Sequence, residues 1–345
     1  MGSNNSFDKL TKVIVGREAN FEKRVADFSF KYFYQESLKQ NIYDKSLDYY
    51  VDYELCLKRN EQLDNLANIL YKNNIEVFRP ESLTNISSFS TPEFKSEISS
   101  ANNVRDISLV YKDFIIETPV FVRNRYFENK ALYNIYNDMF INNSYKWIRS
   151  PHNILIEDQM DLEPWNTSRN YSSFDKSKFT MAIDGAQFLR INNDVIVNIN
   201  SYNHYMGLEW IKSFFPETNF YIINIADNHI DGAIMCPCEG VLVINPKYKN
   251  IINNILPKKF KDWKLIIPDE NKIRKLKNKS ISSIDGMDIN FLSINNKTII
   301  SNKNAIYVND ILDKNGFNIV ECELDDCELF GGGIHCSTLD LERKI

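Results

Sequence analysis

Five residues of this chain could do chemistry together: Cys336, His229 and the carboxylates of Asp106, Asp184 and Asp231. Taken singly, an Asp ahead of a strand is usually a turn residue or a cap, and a lone His is usually structural. These five share a position. Asp106 stands before Ile107, Asp184 before a strand that starts near Gln187, His229 and Asp231 before Ala233, and Cys336 before the segment Ser337 to Glu342. Each segment reads as the opening strand of a similar unit. Equivalent positions in a ring of similar units lie at similar distances from its axis, so the five are expected to meet in a central pocket.

A thiol with a pKa of about 8.5 needs a base or a positive charge to become an efficient nucleophile, and an imidazole moves protons near neutral pH. Cys336 and His229 are therefore the candidate nucleophile and general acid/base. Carboxylates facing a thiol oppose its ionisation, so two of them are useful mainly if the substrate is a planar cation. A guanidinium fits, because its paired N–H groups match carboxylates bidentately. The third carboxylate can orient the imidazole. His335 adjoins Cys336, but neighbours on an extended strand point to opposite faces, which favours His229 as the base. The run Gly331-Gly332-Gly333 permits backbone conformations closed to other residues and close approach of a ligand. No Gly-Lys-Ser/Thr follows it, so it does not read as a phosphate loop.

Such positions need a repeated scaffold, and one order of elements recurs along the chain. Ile107 to Thr118 reads as a hairpin turning at Lys112-Asp113, followed by a helix at about Tyr126 to Phe140 and a strand at Lys146 to Ile148. Gln187 to Ile199 turns at Asn192-Asn193-Asp194. It leads to a helix with Met206, Trp210, Ile211 and Phe214 on one face, then to the strand Asn219 to Ile223. Ala233 to Ile244 turns at Glu239-Gly240 and precedes a helical stretch near Tyr248 to Ile255 and the strand Trp263 to Ile267. Phe291 to Ile300 precedes a helix at about Val308 to Lys314 and the strand Asn318 to Cys322. A fifth unit is shared by the chain ends: strand Val13 to Val15, helix at about Glu61 to Tyr71, strand Ile75 to Phe78, and Ser337 to Glu342 as the missing first strand. Closing a ring in this way removes free sheet edges. The alternative is an open α+β sheet with irregular insertions.

Composition excludes other classes. The 345 residues carry 41 Lys and Arg against 46 Asp and Glu, a formal charge of −5 with the signs interspersed, so no basic stripe for nucleic acid is present. No apolar run approaches the roughly 20 residues needed to cross a bilayer, and residues 1–30 have neither an apolar nor an Arg/Ser-rich leader pattern, so a cytoplasmic location is expected. Six cysteines in a chain of this length do not read as a disulfide scaffold. Cys236-Pro237-Cys238 and the Cys322/Cys327 pair lack the CxxC spacing of a structural zinc site, so no metal is expected. Cys236 and Cys238 read as core or turn residues, and Arg123 and Arg125 as partners for carboxylates such as Glu128. The aromatic stretch Tyr32 to Tyr50 reads as a packed helical surface, or as part of a lid or a homodimer contact.

With these residues in hand, the chain resembles the glycine (arginine) amidinotransferases and their inosamine-phosphate and cyanobacterial-toxin-type relatives in the guanidine-modifying superfamily. The resemblance runs through Val13-Ile14-Val15-Gly16-Arg17, Val104-Arg105-Asp106, Ile116-Glu117-Thr118-Pro119, Arg123 to Glu128, Asp184-Gly185-Ala186 and Tyr205 to Trp210. It is most specific at His229-Ile230-Asp231 and Gly331 to Cys336. It implies a five-bladed α/β propeller (pentein) spanning residues 1–345 as one domain, and a ping-pong reaction through an amidino-cysteine without cofactor. It also implies that Asp184 pairs with His229 while Asp106 and Asp231 clasp the guanidinium. Three positions depart from the family pattern: Gln187 stands in place of an Asp, Ser337 in place of a Trp, and Lys247-Tyr248 in an N-P-x-R pattern whose Arg holds the donor's carboxylate. Lys247 is the available cation there, as a point charge. The expected reaction moves the amidino group of L-arginine to an amine acceptor in small-molecule biosynthesis. The rivals are a deiminase-like hydrolase of the same superfamily and a non-catalytic propeller that binds a cationic metabolite.

Overall fold

The structure, a computed structural model, describes residues 2–19, 22–24, 27–33, 49–82, 88–161, 163, 173–225, 229–274, 287–325, 327 and 330–344. Most of the aromatic stretch Tyr32 to Tyr50, with its expected lid or dimer contact, lies outside these residues.

Five three-stranded sheets among the described residues follow one plan: the first two strands are antiparallel, and the third lies parallel to the second. Four are continuous in sequence. The second module is Ser108–Tyr111, Phe114–Glu117 and Lys146–Arg149; the third is Phe188–Ile191, Asp194–Asn198 and Asn219–Ile223. The fourth is Ile234–Cys238, Val241–Ile244 and Lys264–Ile266; the fifth is Leu292–Ser293, Thr298–Asn302 and Asn318–Cys322. The first module joins the chain ends, with Thr338–Lys344 antiparallel to Lys9–Val15, which lies parallel to Glu76–Phe78. A right-handed crossover is the usual way to join parallel strands, and each module uses a helical segment for it.

The strands read as apolar runs because both of their faces are covered. All five residues of Asp194–Asn198 are buried, for instance. Hairpin geometry is set locally: Lys112 and Asn192 adopt positive φ (54° and 58°) and Gly240 has φ 82°, the left-handed turn conformations that tight hairpins require.

What closes the ring is the order of the hydrophobic contacts. Val13 and Val15 pack toward the fifth module with Leu292 and Ile300, while the intervening Ile14 packs toward the second with Val110 and Ile115. That is the alternation of a strand, with successive side chains on opposite faces. Further cores join the second module to the third, the third to the fourth, and the fourth to the fifth. Each module therefore shares one core with each neighbour.

A buried polar hub ties three of these modules together. Asp340 accepts from Arg105 at 2.6 Å and from Arg343 at 2.8 Å, also pairs with Arg190, and receives Ser3 Oγ at 3.1 Å. The three guanidiniums hold its carboxyl well below the usual carboxylate range despite its burial. Further N–H groups of the three go to the Ser3 hydroxyl and to carbonyls, among them His335 O, Val110 O and Ser293 O.

Two helices differ from the sequence expectation. The segment read as a helix from Tyr126 begins as two 3-10 turns, Arg123–Arg125 and Glu128–Leu132, and becomes α-helical only at Tyr133–Asn142. Arg125 is turned inward there, against three oxygen-bearing partners, which fixes the local backbone. The stretch near Tyr248 to Ile255 shrinks to a 3-10 turn at Pro246–Tyr248 and a four-residue helix, Ile252–Ile255. Pro257 stands two residues past the helix and Asn253-Asn254 are weak helix formers, so little helix can propagate. No helix among the described residues is long and apolar enough to cross a membrane.

Candidate active site

The five residues singled out by position come together at the ends of the first strands, and all are buried. Cys336 lies two residues before Thr338–Lys344, and its thiol points at Asp231 Oδ2 at 3.3 Å. His229 Nε2 lies 3.0 Å from Asp184 Oδ2, and Nδ1 lies 3.5 Å from Asp106 Oδ1. Phe33 meets the His229 ring edge-on, with centroids 5.0 Å apart.

Each carboxylate is held differently. Asp184 Oδ1 accepts the Phe121 N–H at 3.1 Å, while the Asp184 N–H donates to Gln187 Oε1 at 2.8 Å. Gln187, the departure from the family pattern, thus anchors the backbone of Asp184 and passes its own amide hydrogen to Asn198 O at 2.7 Å. Asp106 Oδ2 accepts from Arg125 at 2.7 Å, and Arg125 is itself forked onto both oxygens of Glu128. Asp106 Oδ1 has no hydrogen-bond partner among the described residues and faces His229. Asp231 Oδ2 receives His335 Nδ1 at 2.7 Å as well as the thiol.

These contacts set the charges. Burial works against a charged His229, but Asp106, the bond to Asp184 and Asp231 outweigh it and raise the imidazole to about 9. It is an imidazolium at neutral pH. Burial, then Asp231 and Asp106, push the Cys336 thiol well above its ordinary value. Burial also pushes Asp106 up, with His229 and Arg125 pulling it back. Against its own burial, Asp231 is held at about 2, chiefly by the hydrogen bond from His335. His335 is lowered to about 4 by burial and by Arg105, so it stays neutral and donates its Nδ1–H to Asp231. In this state a protonated thiol faces Asp231 and Asp106, with Asp184 on the far side of His229's hydrogen bond and His229 and Arg125 as cations set against the Asp106 charge. An added planar cation would relieve the charge and favour the thiolate.

Lys247 is exposed in the turn Pro246–Tyr248, with its ammonium 5.5 Å from the centre of the Tyr248 ring. Cys236 is buried with its thiol donating to Cys238 O at 3.2 Å. The described residues contain no group of three or more His, Cys, Asp or Glu able to hold a metal ion.

The glycine run does something more specific than admit a ligand. A Cβ on Gly332 would stand 2.3 Å from Asn103 Oδ1, and one on Gly333 would stand 2.6 Å from Asn290 Oδ1, so the loop is glycine where side chains press on its backbone. Arg59, from the helix Tyr53–Lys72, holds the same loop through Gly332 O at 3.0 Å and Ser337 Oγ at 2.9 Å. Sequence reasoning missed Asn290, Arg59, and Arg125 as a partner of Asp106. For Asn290 a signal existed. It precedes Phe291 as Asp106 precedes Ile107, but its side chain does not titrate.

No family model matches the chain. Sequence comparison finds the mitochondrial glycine amidinotransferase of Gallus gallus 27% identical over 366 residues, covering 99% of this chain and 82% of that protein. Among solved structures, SxtG, an amidinotransferase of the saxitoxin biosynthetic pathway from Microseira wollei, superimposes with a TM-score of 0.81 at 25% identity, over 100% of this chain and 97% of SxtG. The inosamine-phosphate amidinotransferase of Streptomyces griseus shares the fold, with a TM-score of 0.82 at 21% identity over the same shares. The five-module α/β ring is the pentein fold, and over nearly its whole length the chain is similar to amidinotransferases.

Proposed function

We propose that the protein moves the amidino group of L-arginine to an amine acceptor through an amidino-Cys336 intermediate, with residues 1–345 acting as one unit. The observation that carries this reading is the Cys336 thiol 3.3 Å from Asp231, beside an imidazolium His229 flanked by Asp106 and Asp184. Asp106 Oδ1 and Asp231 take the guanidinium N–H groups. The arriving charge offsets both carboxylates, and the thiol gives up its proton to water.

The thiolate pair then forms a bond to the guanidinium carbon, giving a neutral tetrahedral adduct. His229 protonates the departing nitrogen, the C–N bond breaks with its electrons on that nitrogen, and ornithine leaves. Asp184 keeps His229 oriented through both halves of the cycle. An acceptor amine next attacks the amidino carbon and gives a proton to the now neutral His229. The C–S bond breaks with its pair on sulfur, releasing the guanidino product. Lys247 is assigned to the donor's carboxylate as a point charge.

Location and assembly extend the proposal to a cytoplasmic homodimer, checked by cell fractionation and by light scattering of the purified protein. Intact-mass measurement after mixing with arginine, together with product analysis across a panel of amines, tests the reaction. An amidino adduct on Cys336, ornithine and a guanidinated amine are expected. Citrulline and ammonia without acceptor dependence would establish hydrolysis instead. Full turnover by Cys336→Ser would sink covalent catalysis.

A further inference from the structure

The modules present one more residue at the shared register. Asn290 stands ahead of the first strand of the fifth module, where the second has Asp106, the third Asp184 and the fourth Asp231. It is buried, and its amide is fully specified by its surroundings. Oδ1 accepts the Cys336 backbone N–H at 3.1 Å. Nδ2 lies 3.3 Å from Cys336 Sγ and 3.4 Å from Asp231 O. The two ends of an amide cannot exchange here. A backbone N–H demands the oxygen, and a sulfur and a carbonyl demand the NH2. The Asn290 carbonyl in turn accepts the His335 N–H at 3.2 Å, so one residue holds the backbone N–H groups of the nucleophile and of the residue before it. Gly333 leaves the space for this approach, since a Cβ there would stand 2.9 Å from the Asn290 Cβ.

We infer that Asn290 is a catalytic residue, the hydrogen-bond donor that stabilises the Cys336 sulfur whenever it carries negative charge. This rests on Cys336 being the nucleophile and goes beyond it. The immediate charged neighbours of the sulfur, Asp231 and Asp106, oppose a thiolate. Nδ2 of Asn290 is a fixed dipole of the opposite sense, in place before the charge develops and needing no reorganisation. It acts twice per cycle. Once it stabilises the thiolate that attacks the guanidinium carbon, and once the thiolate that leaves when the acceptor has bonded to the amidino carbon. In the amidino-cysteine between these steps the sulfur is uncharged, and the donor contributes little.

Asn290→Asp is the decisive variant. It is nearly isosteric and keeps an oxygen for the Cys336 N–H, but it replaces the donor with an acceptor. Two quantities are read on protein whose near-ultraviolet circular dichroism matches wild type: the pH profile of Cys336 alkylation by iodoacetamide, and the single-turnover rate of adduct formation with arginine. The loss of one hydrogen bond to a charged group predicts an alkylation midpoint at least about one pH unit higher and adduct formation slowed roughly 10- to 100-fold, with arginine binding changed less than about threefold. Asn290→Ala removes the donor without adding a charge and is expected to fall between wild type and Asn290→Asp; it reads the same quantities if the Asp variant does not fold. An unchanged alkylation midpoint with adduct formation within about threefold of wild type overturns the inference. The alkylation profile does not depend on arginine. If wild-type protein forms no adduct, the amidino-transfer reading fails, while the profile still decides the role of Asn290.

Discussion

Replacing Asp184 with asparagine tests the charge assignment of His229 most directly. The raised value of about 9, against an ordinary 6.5, corresponds to about 3 kcal/mol favouring the imidazolium, net of a burial cost that acts the other way. A 3.0 Å hydrogen bond from the ring to Asp184 is part of that balance, and a bond of this kind to a charged group is worth about 1.5 to 3 kcal/mol. The side-chain amide in Asp184→Asn would still offer an oxygen to the ring, so part of the bond survives and the charge is what is lost. The imidazole should then titrate about one to two pH units lower. At pH 8.5 wild-type His229 is mostly protonated and the variant mostly neutral, whereas at pH 6.5 both are protonated. Formation of the amidino adduct, which needs a proton from His229, should therefore fall about tenfold more at pH 8.5 than at pH 6.5. Quenched single turnovers read by intact mass supply the rates. The chain has four His, so carbon-13 labelling of histidine with NMR supplies the titration directly. His204, lowered to about 3 by burial, and His335, at about 4, should not titrate in the same range. A His229 midpoint that Asp184→Asn leaves in place, or an equal loss at both pH values, refutes the reasoning.

The same substitution has a stability signature. A folded-state value above the unfolded one contributes stability that is complete below pH 6.5 and is lost as pH rises through about 9. The melting-temperature deficit of Asp184→Asn should accordingly shrink above pH 9 in scanning calorimetry. His335→Leu removes the donor that holds Asp231 at about 2, so the acid limb of arginine-dependent adduct formation should move up by about one pH unit or more; an unmoved limb contradicts the role given to His335. Asp340→Asn leaves three buried guanidiniums facing no carboxylate and should cost about 3 to 5 kcal/mol in urea titrations, whereas a cost below about 1 kcal/mol would show that the surrounding carbonyls suffice.

Much of this architecture is legible in the sequence because the modules repeat an order of elements with a common register. Asn219–Ile223 and Asn318–Cys322 coincide with the expected strands, and the terminal segment pairs with Lys9–Val15 as the closed ring requires. Reading failed where tertiary partners override local pattern. The apolar spacing after Tyr126 suggests a helix, but the first residues bend around the inward Arg125, whose partners Asp106 and Asn103 lie about twenty residues earlier. Asn290 was overlooked for a different reason. A search for titratable groups passes over an amide, although its place in the register is as regular as that of Asp231.

The seam between Lys9–Val15 and Thr338–Lys344 also bears on when the enzyme becomes reactive. The nucleophile lies just ahead of the last of the described strands, and that strand finds its partner in the first of them, Lys9 opposite Lys344. During synthesis the other four modules can fold on their own hairpins and helices before Cys336 has left the ribosome. Closure of so long a loop is slow relative to local pairing. The thiol, its Asp231 neighbour and the Asn290 donor are thus brought together last, and a stalled or incomplete chain holds the carboxylates without the sulfur they are arranged around.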